Sequence, residues 1–134
     1  MTNYTDIGTA LKTLLETISD FEVVYGDEKK ELLKYPCATV TALAHNNEFI
    51  DTHHNTRHYQ FSVRLYYRND TSIDAENILR ALADEVITTV EGDPTLSGAC
   101  DFAQPLEGTW TWAEREVPVR VCDITISARV RQLR

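Results

Sequence analysis

Residues 56–68, TRHYQFSVRLYYR, alternate between apolar and polar side chains more regularly than any other part of this 134-residue chain. The apolar set is Tyr59, Phe61, Val63, Leu65 and Tyr67, and the polar set is His58, Gln60, Ser62, Arg64 and Arg68. A period of two residues is that of a β-strand with one face buried and the other in water. Tyr66 is the exception, because it is a large aromatic side chain on the polar side. The chain must therefore form a sheet whose apolar face is covered by another layer.

The residues before this strand predict its partner. Residues 37–46, CATVTALAHN, alternate again, and the side chains on one side are Ala38, Val40, Ala42 and Ala44. An antiparallel hairpin is the simplest pairing for two neighbouring strands. Its tip then falls within residues 48–61, EFIDTHHNTRHYQF, and is predicted to be centred near His54.

Two other segments have the spacing of amphipathic helices. Residues 5–18 and 72–91 each repeat apolar side chains at intervals of three and four residues. The apolar faces consist of Ile7, Leu11, Leu14, Leu15 and Ile18 in the first, and of Ala75, Leu79, Leu82, Ala83, Val86 and Val90 in the second. Thr71 with Asp74 resembles a capping box, and Gly92 favours the end of the second helix.

The remaining segments are predicted to be strands. Residues 21–25 form a short one, and residues 95–134 form two, with Trp110 and Trp112 on one face. The order of elements is α-β-β-β-α-β-β. We therefore expect one α+β domain over residues 1–134, with a mainly antiparallel sheet and two amphipathic helices packed on it.

The apolar positions of the last strand change parity along its length. They are odd-numbered up to Val121 and even-numbered from Ile124. A one-residue slip of this kind predicts a β-bulge near Val121 to Asp123, or two strands instead of one. Pro118 further suggests that this end lies at a sheet edge.

The predicted hairpin tip holds four candidate metal ligands, which are Asp51, His53, His54 and His58. Zinc needs three or four ligands that converge on one point. With the tip centred near His54, His58 lies opposite Ile50, and His45 lies four residue pairs further along, roughly 13 Å away. The tip therefore has too few convergent ligands, and a polar loop is favoured over a metal or cofactor site.

The chain lacks the other signals of catalysis or membrane insertion. It has no nucleophile elbow, phosphate-binding loop or dinucleotide-binding motif, no long apolar run and no signal-peptide pattern. Its cysteines, Cys37, Cys100 and Cys122, contain no C-x-x-C pair and are expected to be buried thiols. The formal net charge of −8 argues against clamping duplex nucleic acid. A protein that is not an enzyme and needs no cofactor is expected.

Arginine and aromatic side chains are concentrated on the predicted strands, at Arg57, Arg64, Arg68, Arg129, Arg131, Arg134, Tyr66, Trp110 and Trp112. Such side chains can bind single-stranded nucleic acid, although the acidic total favours a role in keeping exposed strands from mispairing. They are also the residues that subunit interfaces prefer. The acidic helix faces and the arginine-rich strand could meet across a subunit boundary, and a head-to-tail contact of that kind can close into a ring.

The order of elements, with the phrases IGTALKTLLETI, YPCATV, TRHYQFSVRLYYR and ILRALADEV followed by TLSG, resembles the tail terminator and tail-completion (tail-to-head joining) proteins of long-tailed, lambda-like bacteriophages. The resemblance covers nearly the whole chain. It implies a ring, expected to be a homohexamer, that caps the tail tube protein, stops tube growth and joins the head-to-tail connector protein. DNA would pass through without specific binding, no membrane or cofactor would be needed, and the protein would belong to the neck end of the virion tail after assembly in the host cytoplasm.

By position, the resemblance implies that residues 45–58 form a hairpin that reaches toward neighbouring subunits. The candidate contacts are Asp51, His53, His54, Asn55, Arg57, Trp110, Trp112, Arg129 and Arg131. Shortening the tip between Asp51 and Asn55 is expected to spare folding and impair assembly. The alternatives are another neck or tail tube assembly protein, and a small metal-dependent enzyme that uses the region from His45 to His58.

Overall fold

Five strands form one sheet, and two helices lie on one of its faces. The computed structural model describes residues 3–26, 34–68, 74–113 and 118–133. The elements are α1 (Asn3–Leu15), β1 (Val23–Tyr25), β2 (Cys37–Phe49), β3 (His54–Arg68), α2 (Ala75–Glu91), β4 (Phe102–Ala113) and β5 (Val119–Leu133). The strands lie in the order β1-β2-β3-β5-β4, antiparallel except that β1 runs parallel to β2. The α+β class and the order of elements are confirmed.

The helices form the core with the apolar side chains of β3. In α1, Ile7, Leu11 and Leu15 are fully buried, as the helical spacing predicts. Gly8 lies so close to β3 that an added Cβ would be 3.2 Å from Phe61 Cε1. The glycine weakens the first turn of the helix, but its missing side chain allows α1 to approach the sheet.

The second helix, α2, begins directly after its N-cap residue. Asp74 is the N-cap, and its carboxylate accepts a hydrogen bond from the Asn77 backbone N–H at 3.2 Å. Thr71, the other half of the predicted capping box, lies outside the described residues. Gly92 follows the last turn and donates its N–H to the Thr88 carbonyl at 2.9 Å, so the predicted end is confirmed.

The β2–β3 hairpin is antiparallel as predicted, but its tip is not centred on His54. His54 already belongs to β3, and the turn occupies residues 50–53. The turn is placed by Asp51, whose Oδ1 accepts backbone N–H groups from both His53 and His54. This side-chain-to-backbone turn sets the register of the two strands. A hairpin centred on His54 would pair His58 with Ile50, whereas in the structure His58 pairs with Asn46.

A β-bulge in β2 corrects the predicted face of that strand. The pairing shifts between Ala42 and Ala44, so that Ala42 and Ala44 point to opposite faces. Ala38 and Val40 are buried as predicted. The last eight residues of β2 are all exposed. Residues 46–58, which we call the outer hairpin, project beyond His45, whose ring contacts Tyr4 of α1.

The parity change in β5 does not come from a bulge. The strand pairs with β3 without any register shift, and the bulge at this side of the sheet lies in β4 between Pro105 and Glu107. From residue 122 onward the even positions pack on the helices, whereas Val119 and Val121 are buried on the opposite face with Cys37 and Tyr66. One straight strand thus contributes to two apolar clusters, which also explains the apolar Tyr66 on the polar side of β3.

The position of Pro118 corrects another expectation. It precedes β5, which has β3 on one side and β4 on the other, so the edge strand is β4. The face of the sheet opposite the helices, which we call the open face, has a buried apolar cluster at the end near Tyr66. None of the described helices is long and apolar enough to cross a membrane.

Candidate functional site

The hairpin tip is ordered by one carboxylate. Asp51 Oδ1 accepts hydrogen bonds from the backbone N–H of His53 at 2.7 Å and of His54 at 2.8 Å, and it lies 3.1 Å from His54 Nδ1. These contacts, led by the His53 N–H, hold the pKa of Asp51 below its ordinary range because they favour the charged carboxylate. The predicted contacts Asp51, His53 and His54 therefore lie together, with Asp51 and His53 exposed to solvent.

The four histidines do not converge. His58 Nε2 lies 3.6 Å from Glu48 on the open face. His45 is the cross-strand neighbour of Tyr59, on the helix face, and its Nδ1 is 2.8 Å from the Tyr4 hydroxyl. The predicted distance along the hairpin was wrong, because His45 and His58 are one residue pair apart. They are separated instead by the sheet, since neighbouring positions of a strand point to opposite faces.

Within the described part of the chain, no group of three or more His, Cys, Asp or Glu side chains could hold a metal ion. The metal-dependent alternative therefore has only the two-residue contact between Asp51 and His54 in its favour. All three cysteines are buried, and burial raises the pKa of Cys100 and of Cys122 to about 11.

Asn55 and Arg57, two predicted contacts, hold the base of the outer hairpin. Asn55 is buried, and its amide donates to Asn47 Oδ1 at 3.3 Å. Arg57 Nε donates to the same oxygen at 2.7 Å, while its Nη1 donates to the Tyr59 hydroxyl at 2.8 Å. Asn55 is therefore not available as a contact in the single molecule, and its role is to connect the two strands.

The two tryptophans lie on the helix face of β4, beside α2. Trp110 and Trp112 point to the same face, as predicted, and Trp112 is 53% exposed. The Arg120 guanidinium carbon lies 5.2 Å from the ring centre of Trp110 and 5.0 Å from that of Trp112. Cation–π attraction therefore holds both rings against one arginine.

Arg120 is itself fixed by α2 and β4. Its Nε and Nη2 donate to the two carboxylate oxygens of Glu76 at 3.1 and 3.2 Å, and its Nη1 donates to the Thr111 carbonyl at 3.0 Å. This bidentate contact lowers the pKa of Glu76, with the hydrogen bond from Arg120 as the main cause. The tryptophans are thus presented on a rigid support, as residues at binding surfaces often are.

The arginines Arg129 and Arg131 lie at the outer end of the open face. Both are exposed, and they line a hollow of about 550 Å³ that also contains two carboxylates. The other residues that line it are Glu48, Ile50, Thr56 and Asp101. Arg129 lies over the Phe102 ring, with 6.0 Å between the guanidinium carbon and the ring centre. Asp101 Oδ2 accepts the backbone N–H of Arg131 at 2.8 Å.

Sequence reasoning did not single out Arg120 or Phe102. Arg120 pairs with Trp112 across β4 and β5, but this neighbour could be recognised only after the register of the two strands was known. The sequence gives no signal for Phe102, because a single aromatic residue after a loop does not form a periodic pattern. Comparison of the sequence with protein-family models and with curated proteins finds no match in either case.

Proposed function

We propose that this chain is a structural virion protein that forms a ring, caps the tail tube of a long-tailed bacteriophage, ends tube growth and provides the surface for joining the head. The observation that carries the proposal is the outer hairpin. It projects beyond the contact of His45 with Tyr4 of α1, and its large side chains Phe49 and Ile50 are 66% and 42% exposed. Exposed apolar side chains at the end of an ordered projection suit burial against another protein.

The order within the outer hairpin supports a contact role. The Asp51 turn and the Asn47 contacts with Asn55 and Arg57 hold a segment that adds little to the core. A segment that is already ordered loses less conformational entropy when it binds, so a larger share of the contact energy appears as affinity. Among the described residues, no group of three or more His, Cys, Asp or Glu side chains offers a metal site as a competing reason for this order.

The two faces of the molecule support a ring. The helices cover one face of the sheet, whereas the other face carries exposed arginines at its outer end. Contacts between unlike surfaces of identical subunits propagate in one direction, and they form a closed ring when the rotation between subunits allows it. We infer a tail tube protein and a head-to-tail connector protein as the partners on the two sides of the ring.

The test is a shortened turn. Because residues 50–53 form the turn and His54 already pairs with β5, the segment to replace is 50–53, by Asn-Gly, rather than residues 51–55. The variant is expected to fold normally, since the turn lies outside the core. Phages that carry it should make tails of uncontrolled length that fail to join heads, scored by negative-stain electron microscopy. Thr13→Ala, on the exposed face of α1, is the control.

Tails of normal length, joined normally to heads by the shortened variant, would contradict the contact role of the tip. The alternative within virion assembly, a neck or tail tube protein, is distinguished by position. Labelled copies at the head end of the tail in a single ring support a terminator. Copies along the whole tube, or only at the distal end, support the alternative.

A further inference from the structure

The structure separates the charge of the chain into two layers. Residues 3–26 and 74–93, which contain both helices, hold ten acidic and two basic residues. Residues 37–68, 101–113 and 118–133, which contain the four long strands, hold five acidic and six basic residues. The formal charge of −8 for the whole chain therefore lies in the helix layer. Four of the six arginines on these strands, Arg64, Arg68, Arg129 and Arg131, lie on the face of the sheet opposite the helices.

The outer end of the open face has the composition of a binding surface. We call Ile50, Phe102, Arg129 and Arg131 the outer patch. Ile50 and Phe102 are 42% and 41% exposed, and both arginines are exposed. Within the described ranges, neither guanidinium takes part in an ion pair. Arginine beside exposed apolar side chains is the pattern of residues that dominate binding energy at protein interfaces.

We propose that the outer patch of one molecule binds the exposed ridge of α2 on a second copy of the chain. This inference rests on the proposed function, because it names the surfaces that would join neighbouring subunits of the ring. The ridge consists of Ala81, Asp84, Thr88 and Glu91, all exposed. Asp84 and Glu91 take part in no ion pair within the residues that the structure describes.

The two surfaces match in charge and shape. Arg129 and Arg131 are two residues apart on one face of β5, so their backbones lie about 6.7 Å apart and both side chains reach the same side. The ridge offers the carboxylates of Asp84 and Glu91 for them, with the small side chain of Thr88 between the two carboxylates and that of Ala81 one turn before Asp84. Small side chains leave room for Ile50 and Phe102 to approach the helix. Arginine–carboxylate pairs of this kind can be bidentate, and they set the register of an interface.

The placement of the two surfaces makes the contact head-to-tail. The outer patch is on the open face, and α2 is on the opposite face of the same sheet. One molecule can therefore use both surfaces at once, each with a different neighbour. Such a contact yields a ring or a filament rather than a closed dimer.

The experiment is a charge exchange in the full chain, read by size exclusion with light scattering over a series of protein concentrations at low salt. R129E/R131E is expected to raise the concentration needed for half-maximal association by at least about ten-fold, because the two introduced glutamates then repel the carboxylates of the ridge. D84R/E91R is expected to do the same. The variant that combines all four substitutions has the net charge of the natural chain and should regain association.

K34E/R68E is the matched control. It changes the net charge as much as R129E/R131E does, but Lys34 and Arg68 are exposed at the other end of the sheet. It should associate like the natural chain, which would exclude an effect of net charge. Thermal unfolding followed by circular dichroism checks that each variant folds, as expected for exposed positions.

Three results would overturn the inference. They are a natural chain that stays monomeric at every concentration, an R129E/R131E variant that associates normally, and a four-substitution variant that remains monomeric. Binding of a single-stranded oligonucleotide that depends on Arg129 and Arg131, without any effect of these residues on association, would assign the outer patch to nucleic acid instead. The proposed function has its own readout, tail length and head joining in phages that carry the shortened turn. That variant keeps Arg129 and Arg131 but removes Ile50 of the outer patch, so the charge-exchange variants, which keep the turn, test the subunit contact by itself.

Discussion

At the scale of single residues, neighbours decide what a side chain does. Arg120 is charged and lies in a strand, yet its side chain is only 14% exposed because Glu76, Thr111 and two tryptophan rings surround it. Asn55 is polar and next to a turn, but it is buried against Asn47. Neither position follows from residue type, because each depends on a partner from another strand or helix.

Replacing Arg120 by methionine tests this arrangement. The change keeps an unbranched apolar stem and removes the hydrogen bonds and the cation–π contacts, so we expect a loss of about 1 to 2 kcal/mol of unfolding free energy. The chain has two tryptophans, and both lie against Arg120. Their fluorescence should therefore shift to longer wavelength in the folded variant. Arg68→Met, at an exposed position of β3, should leave the spectrum unchanged. An unchanged spectrum for the Arg120 variant would contradict the arrangement.

At the scale of elements, a single strand can serve two environments. β5 buries its even positions against the helices from residue 122 onward, and it buries Val119 and Val121 on the other face. β2 is buried over its first four residues and exposed over its last eight. The positions of the apolar residues along a strand therefore indicate which of its parts are covered, and on which face, in addition to indicating that the segment is a strand.

The cluster on the open face predicts a contrast between two positions of β3. Tyr66 is 3% exposed and packs in that cluster, whereas Gln60 lies on the same face and is half-buried. Tyr66→Ser should lower the unfolding free energy by about 3 kcal/mol, because it leaves a cavity among Cys37, Val119 and Val121. Gln60→Ser should change it by less than about 0.5 kcal/mol. Urea unfolding measures both, and similar losses would refute a second apolar cluster.

The hairpin turn predicts a dependence on pH. The pKa of Asp51 is lowered in the folded chain, chiefly by the His53 N–H, so its contribution is present above the ordinary aspartate value of 3.8 and is lost as the pH falls through the lowered value. The amide proton resonances of His53 and His54 should therefore move in that acidic range, as measured by NMR. In Asp51→Asn, which keeps the acceptor oxygen but does not titrate, this movement should disappear. A midpoint at or above 3.8 in the natural chain would contradict the assignment.

At the scale of the whole molecule, the charged residues are distributed asymmetrically between the two sides of the sheet. The helix layer carries the negative charge, and the open face carries exposed arginines at its outer end beside the projecting hairpin. A molecule of this kind has two unlike surfaces, and it can therefore continue an assembly in one direction. The proposed ring and the proposed contact between the outer patch and α2 both depend on this asymmetry.

The sequence by itself determined the α+β class, the order of the elements, the pairing of β2 with β3 and the common face of Trp110 and Trp112. These features follow from local periodicity, which is a property of neighbouring residues and does not need the fold. Residue type and spacing also placed Arg129 and Arg131 on a strand.

Only the tertiary structure decided the turn at Asp51, the bulges in β2 and β4, the separation of His45 from His58 and the support of both tryptophans by Arg120. Each of these depends on register between segments far apart in sequence, and a shift of one residue moves a side chain to the other face. Periodicity gives the faces of a strand, but it does not give the partner of each residue. The partner decides whether a polar side chain is buried, as Asn55 is, or exposed, as Arg131 is.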